Sequence, residues 1–178
     1  MIMKKGKIKS KKSQVWIETV IYTLIALTII GIVLGIIKPA LEEQKDKAAI
    51  RQSIDSLNEI DSKINNIKYI PGNSRSLELK ITRGNLIIDG EEDKIKIIIE
   101  DSNYAPSEPG LVVNEGNVAE NTTEKGKKYQ VTMTLDYSNK MNITYRGKDE
   151  QKTFQYAPVA YKLSVINNGG SIFNIDFF

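Results

Sequence analysis

Cysteine and histidine are both absent from the 178 residues. Without cysteine there is no disulfide framework, thiol nucleophile or cysteine metal site. Without histidine, ordinary zinc chemistry and the usual neutral-pH general base are also excluded. The chain contains no Gly-rich phosphate loop, nucleophile elbow or paired-carboxylate arrangement. The acidic run Asp89-Gly90-Glu91-Glu92-Asp93 lacks the ligand spacing of a calcium loop and reads as a solvated turn. Catalysis, a cofactor and a bound metal are therefore not expected.

A basic surface is missing as well, although the formal net charge is +3. Six lysines, Lys4, Lys5, Lys7, Lys9, Lys11 and Lys12, fall within the first thirteen residues, leaving 19 basic against 22 acidic residues in the remainder. Nucleic-acid binding needs positive charge on the folded part of a protein, so it is not expected here.

The first forty residues carry the strongest pattern. The lysine cluster gives way to an apolar run, Val15 to Ile37, in which Glu18 is the one charged residue among 23. At 1.5 Å per residue, roughly 20 helical residues cross a hydrocarbon core about 30 Å thick. The lysines ahead of the run are expected to stay cytoplasmic, which puts everything after Lys38 on the outer face of a single-pass membrane protein. A conventional secretory signal fits less well, because its apolar region is about 7–15 residues and is followed by a small-x-small cleavage site.

Glu18 stands where hydrocarbon should begin. A charge at the bilayer centre costs about 2.5–3.5 kcal/mol, and less near an interface where the side chain can snorkel. Cleavage after Ser13 would create an amino terminus at Gln14 and put the acid at position five. A neighbouring copy shifted along the helix axis could then offer its terminal ammonium to Glu18, neutralising both charges in a dry helical core.

A short lysine-rich leader, a small junction residue, Gln at the new first position, Glu at the fifth and then an apolar helix resembles the class III signal peptide of archaeal type IV pilin-like precursors, a group related to archaellins. The resemblance implies that a membrane-embedded prepilin-peptidase-like enzyme cuts between Ser13 and Gln14, and that Glu18 is the family's assembly acid. It also implies that mature subunits pack their helices into a filament core. The family more often has Gly at the position of Ser13 and commonly Ser at that of Trp16. The likeness covers about the first fifty residues closely, and beyond them only the layout of a helix followed by an exported β-rich head.

Gly31 and Gly35 form a GxxxG of the kind that lets two membrane helices approach closely. Pro39 removes a helical hydrogen bond and is expected to kink the helix, or to end and restart it, at the membrane exit. From Ala40 to Asn66 the helix pattern resumes. Ile50, Ile54, Leu57, Ile60, Ile64 and Ile67 form one apolar stripe, expected to pack on this chain's own sheet, with a coiled-coil or partner contact as the alternative. Glu43 with Lys47 and Glu59 with Lys63 stand at i, i+4 as solvated-face pairs.

Tyr69 to Ser74 supplies turn residues, after which the period changes to alternation. Leu77, Leu79 and Ile81 alternate with polar residues, Arg83-Gly84-Asn85 reads as a hairpin turn, and Leu86 to Asp89 returns. Lys94 to Glu100, the alternating Val131 to Tyr137, Met141 to Arg146, Phe154 to Tyr156, Tyr161 to Ile166 and Ser171 to Phe178 are the other strand candidates. Asn103 to Lys128 reads as a long exposed loop. Asn121-Thr122-Thr123 and Asn142-Ile143-Thr144 match the N-glycosylation acceptor pattern, with Asn142 on the polar face of its strand.

The whole is an α+β chain with a pilin-like layout. A leader (1–13) precedes a transmembrane and assembly helix (14–38), an amphipathic extension of that helix (39–68) and an extracytoplasmic, antiparallel β-rich head (69–178). The function expected is that of a structural subunit of a type IV pilus-like surface filament. Its partners would be the peptidase, the membrane, and other copies or related pilin subunits, with no nucleic acid. Two alternatives stay open: a single-pass anchored binding module that keeps its leader, and a minor pilin or pseudopilin of a secretion or adhesion system.

Overall fold

The computed structural model describes residues 11–170 and 173–177, with side chains described from residue 15 and, in the last strand, from residue 175. Residues 1–10 of the leader, and Ser171, Ile172 and Phe178 of the final strand candidate, lie outside the described residues. The chain divides into two units, residues 1–42 and 43–178.

One helix, α1 (Lys11–Ile67), runs through Pro39, so the helix neither ends nor restarts there. Among the described residues ten strands follow: β1 (Ser74–Leu79), β2 (Asn85–Asp89), β3 (Lys94–Ser102), β4 (Val112–Glu115), β5 (Val118–Lys125), β6 (Lys128–Asp136), β7 (Met141–Tyr145), β8 (Gln151–Gln155), β9 (Tyr161–Asn167) and β10 (Phe173–Phe177). The α+β class read from the sequence is what the chain adopts.

The strands form two sheets, a four-stranded one ordered β1-β9-β10-β7 and a six-stranded one ordered β4-β5-β6-β3-β2-β8. All pairings are antiparallel except that of β10 with β7, which is parallel. The expected hairpin at Arg83-Gly84-Asn85 does not exist, because β1 pairs with β9 and β2 with β3 and β8. The turn instead carries the chain from one sheet to the other. Gly84 sits at φ 79°, where a Cβ would collide with the Ile98 carbonyl oxygen, so glycine serves here both the left-handed backbone and the close crossing.

The segment read as a long loop, Asn103 to Lys128, contains β4 and all of β5, a hairpin whose second strand pairs along its length with β6. The inward face of β5 is Val118, Glu120 and Thr122, only one of them apolar, so alternation of hydrophobicity does not reveal it.

In the 43–178 unit, every residue of the α1 stripe is buried, and the stripe belongs to the same apolar cluster as Leu77, Leu79, Leu86, Ile97, Val131 and Ile143 from both sheets. Such side chains contribute about 1.5–3 kcal/mol each on full burial, an upper estimate because unfolded chains are already partly compact. The helix end is closed from β9. Buried Asn167 donates its amide to the carbonyls of Ile67 (2.9 Å) and Lys68 (2.7 Å), two acceptors the helix itself cannot satisfy.

Candidate membrane and assembly surface

Because almost every residue from Val15 to Ile37 is apolar, the segment is hydrophobic all round rather than along one stripe, and a helix of that kind has no polar side to turn to water. Its side chains are exposed throughout, including Trp16 at 71% and Ile36 at 69%, and among the described residues none of the most apolar stretch is buried. It is long and apolar enough to cross a membrane. Covering so many large apolar side chains with lipid or other helices is worth on the order of tens of kcal/mol.

The segment meets its own polar needs. Thr19, Thr23 and Thr28 donate their hydroxyls to the carbonyls of Val15, Thr19 and Leu24, four residues back, at 2.8–2.9 Å. Glu18 is the exception. It is exposed on this apolar surface, and among the described residues no cation lies within ion-pair distance of it. Ser13 and Gln14 belong to α1, and their side chains lie outside the described residues. Gly31 and Gly35 have open space where a Cβ would stand, leaving a smooth notch on the helix surface.

The 43–178 unit contributes polar clamps that the sequence reading missed. Asp46, fully buried, ion-pairs with Arg83 through Oδ1, and its Oδ2 accepts from the Asn103 backbone (2.7 Å) and side-chain (2.9 Å) nitrogens. Arg83 also donates to the Asp101 carbonyl at 2.8 Å. Asp61 accepts from Tyr137 (2.7 Å), Asn117 (2.8 Å) and Asn65 (2.9 Å). These residues border a cavity of about 340 Å³ also lined by Lys68, Tyr69 and Lys140. A signal for both acids was present, since Asp46 stands four residues before Ile50 and Asp61 four after Leu57, on the apolar stripe itself.

The acidic run at 89–93 is a turn, as expected, with Glu91 and Glu92 exposed, but it is also tied to its surroundings. Asp89 is buried and pairs with Lys96 at 3.0 Å, Glu92 pairs with Lys96 at 2.7 Å, and Asp93 accepts from the Ile143 backbone at 2.8 Å. Burial alone would raise the Asp89 carboxyl, but the Lys96 hydrogen bond, backbone donors and the Lys96 charge outweigh it and hold the group below its ordinary value. Among the described residues neither expected helix pair closes to ion-pair distance. Lys47 instead lies over the Tyr104 ring, 5.5 Å from its centroid.

The two glycosylation patterns differ in access. Asn121 and Thr123 are exposed on the outer face of β5. Asn142 is half-buried and donates to Asp149 at 3.3 Å, while Thr144 is buried with its hydroxyl donated to Asp176 at 2.8 Å. The Asn142 pattern is thus occupied by structural hydrogen bonds.

No family model, curated protein or solved structure matches the chain.

Proposed function

We propose that the chain is a structural subunit of a type IV pilus-like surface filament, stored in the membrane as a single-pass precursor and assembled through α1. The observation that carries this reading is the exposed apolar helix surface interrupted by Glu18, which has no cation within ion-pair distance among the described residues. A prepilin-peptidase-like enzyme cuts between Ser13 and Gln14, and the lysine leader stays on the cytoplasmic side. The Gln14 ammonium of one subunit meets Glu18 of the next, which sets the register, while packing of apolar side chains supplies most of the cohesion. Gly31 and Gly35 provide the surface on which a neighbouring backbone comes close. The β-rich unit faces outward, with Asn121 the better-exposed of the two glycosylation patterns.

Glu18→Ala tests the reading. Membrane insertion is expected to be unchanged, because the substitution removes a charge from an apolar helix. Filament yield from cells expressing the variant is expected to collapse, and filaments of normal number and length would overturn the proposal.

A further inference from the structure

Five acids are buried among the described residues, Asp46, Asp61, Asp89, Glu120 and Asp176. Four have partners. Asp46, Asp61 and Asp89 are paired as described above, and Asp176 accepts from Thr144 and from the Gly147 backbone, both at 2.8 Å. Glu120 is the exception: it is 6% exposed, and among the described residues its carboxylate has neither a hydrogen bond nor an ion pair. A carboxylate on a largely buried side chain without a partner is disfavoured in its ionised form, so its position favours a cation.

The place it occupies is a cleft. The alternation of β5 turns Glu120 to the same inward face as Val118 and Thr122, toward α1, where it lines a cavity of about 190 Å³. That is several times the roughly 30 Å³ that a water molecule occupies in the liquid, so a short alkyl chain fits. One wall is α1, with Ile50 and Ile54; the other is the β4–β5 hairpin, with Val113 and Glu115. Tyr104 closes the side, and its ring already carries the Lys47 ammonium on one face.

We propose that this cleft binds a primary ammonium on an unbranched apolar stem, the chemistry shared by a free alkylamine and a lysyl side chain. Glu120 takes the ammonium, the isoleucines and Val113 take the stem, and Tyr104 offers a cation–π face. A hard metal ion fits poorly, since it prefers six or more oxygens and half of this wall is aliphatic. Lys47 and Arg51 also border the cleft, but both are exposed and neither lies within ion-pair distance of Glu120, which is largely buried. Burial first, and then Glu115, push the Glu120 carboxyl above its ordinary value, and neither helix cation offsets them. The cleft lies within the 43–178 unit, so the inference is independent of filament assembly.

The test follows the Glu120 carboxyl carbon by NMR in the full chain in detergent micelles at neutral pH. The probes are n-butylammonium, its neutral counterpart n-butanol, and Nα-acetyl-lysine methylamide. Saturable shifts of Glu120 and of the Tyr104 ring with both ammonium probes, absent with butanol, are expected. Glu120→Gln, which keeps shape and removes charge, is expected to weaken binding at least about tenfold as read from shifts at Tyr104. Tyr104→Leu is expected to weaken the ammonium probes while leaving the fold intact by circular dichroism. Tighter binding of the lysine derivative than of butylammonium assigns the site to a protein partner, and the reverse order to a free amine. No saturable shift, an equal response to butanol, or unchanged binding in Glu120→Gln overturns the proposal.

Discussion

Tyr137 donates its hydroxyl to Asp61 Oδ1 at 2.7 Å, joining residues 76 apart in the chain. Asp61 lies on the apolar face of α1 and Tyr137 directly after β6, so the bond ties the helix to the six-stranded sheet. Burial, then the hydrogen bond to Asp61 and its charge, push the phenol far above its ordinary value. The hydroxyl therefore remains a donor at neutral pH.

Tyr137→Phe leaves the ring in place and removes this donor from a buried carboxylate. A loss of about 1–3 kcal/mol in unfolding free energy is expected by denaturant titration, the usual range for stranding a buried polar group. Asp61→Ala strands three donors, from Tyr137, Asn117 and Asn65, and is expected to cost more. Stability unchanged in both variants would show that the network is incidental.

The two parts of α1 are expected to respond differently to the same substitution. Leu57 is fully buried in the core, and Leu57→Ala is expected to destabilise the 43–178 unit by about 2–5 kcal/mol. Leu34 is 61% exposed and outside that unit, and Leu34→Ala is expected to change its unfolding by less than about 0.5 kcal/mol. Comparable losses for the two variants in the same micelle would contradict the division.

That division was largely legible in the sequence. The charge-free period after Glu18 and the later four-and-three spacing of isoleucines report what each length of helix must be covered by, and local pattern suffices for that. The strands at 77–79, 95–99 and 131–135 were legible for the same reason, since Leu77 and Leu79, Ile95 to Ile99, and Val131 to Leu135 place apolar residues on one face. Pairing was not. Arg83-Gly84-Asn85 has hairpin chemistry, yet the partner of β1 is β9, more than eighty residues away, and only tertiary packing selects it. β5 escaped because its buried face carries Glu120 and Thr122, with the Thr122 and Ser107 hydroxyls 2.9 Å apart. Of the candidate assembly residues, Glu18, Gly31 and Gly35 fall on one exposed apolar helix as expected, whereas the unpartnered Glu120 has no signature in the one-dimensional pattern.

Glu120 and Asp89 are expected to act on stability in opposite senses. Asp89 is held below its ordinary value of 3.8, so its contribution is present above that value and is lost as pH falls through the lowered one. Glu120 is raised above its ordinary value of 4.5, so its neutral form favours folding below 4.5 and that contribution is lost as pH rises through the raised value. Glu120→Gln is therefore expected to be more stable than the parent at neutral pH, with the gap closing below pH 4.5. Denaturant titrations of both proteins across that range check it, and a gap that stays constant or reverses would refute it.

The central claim turns on one bond. Mass spectrometry of the amino-terminal peptide, from protein purified out of native membranes and sheared surface fractions, reads it directly. A chain beginning at Gln14 is the predicted result, leaving Glu18 as the fifth residue beside a free ammonium. A chain that still carries its lysine leader in the surface fraction would contradict the filament account and make the molecule a permanent single-pass anchor.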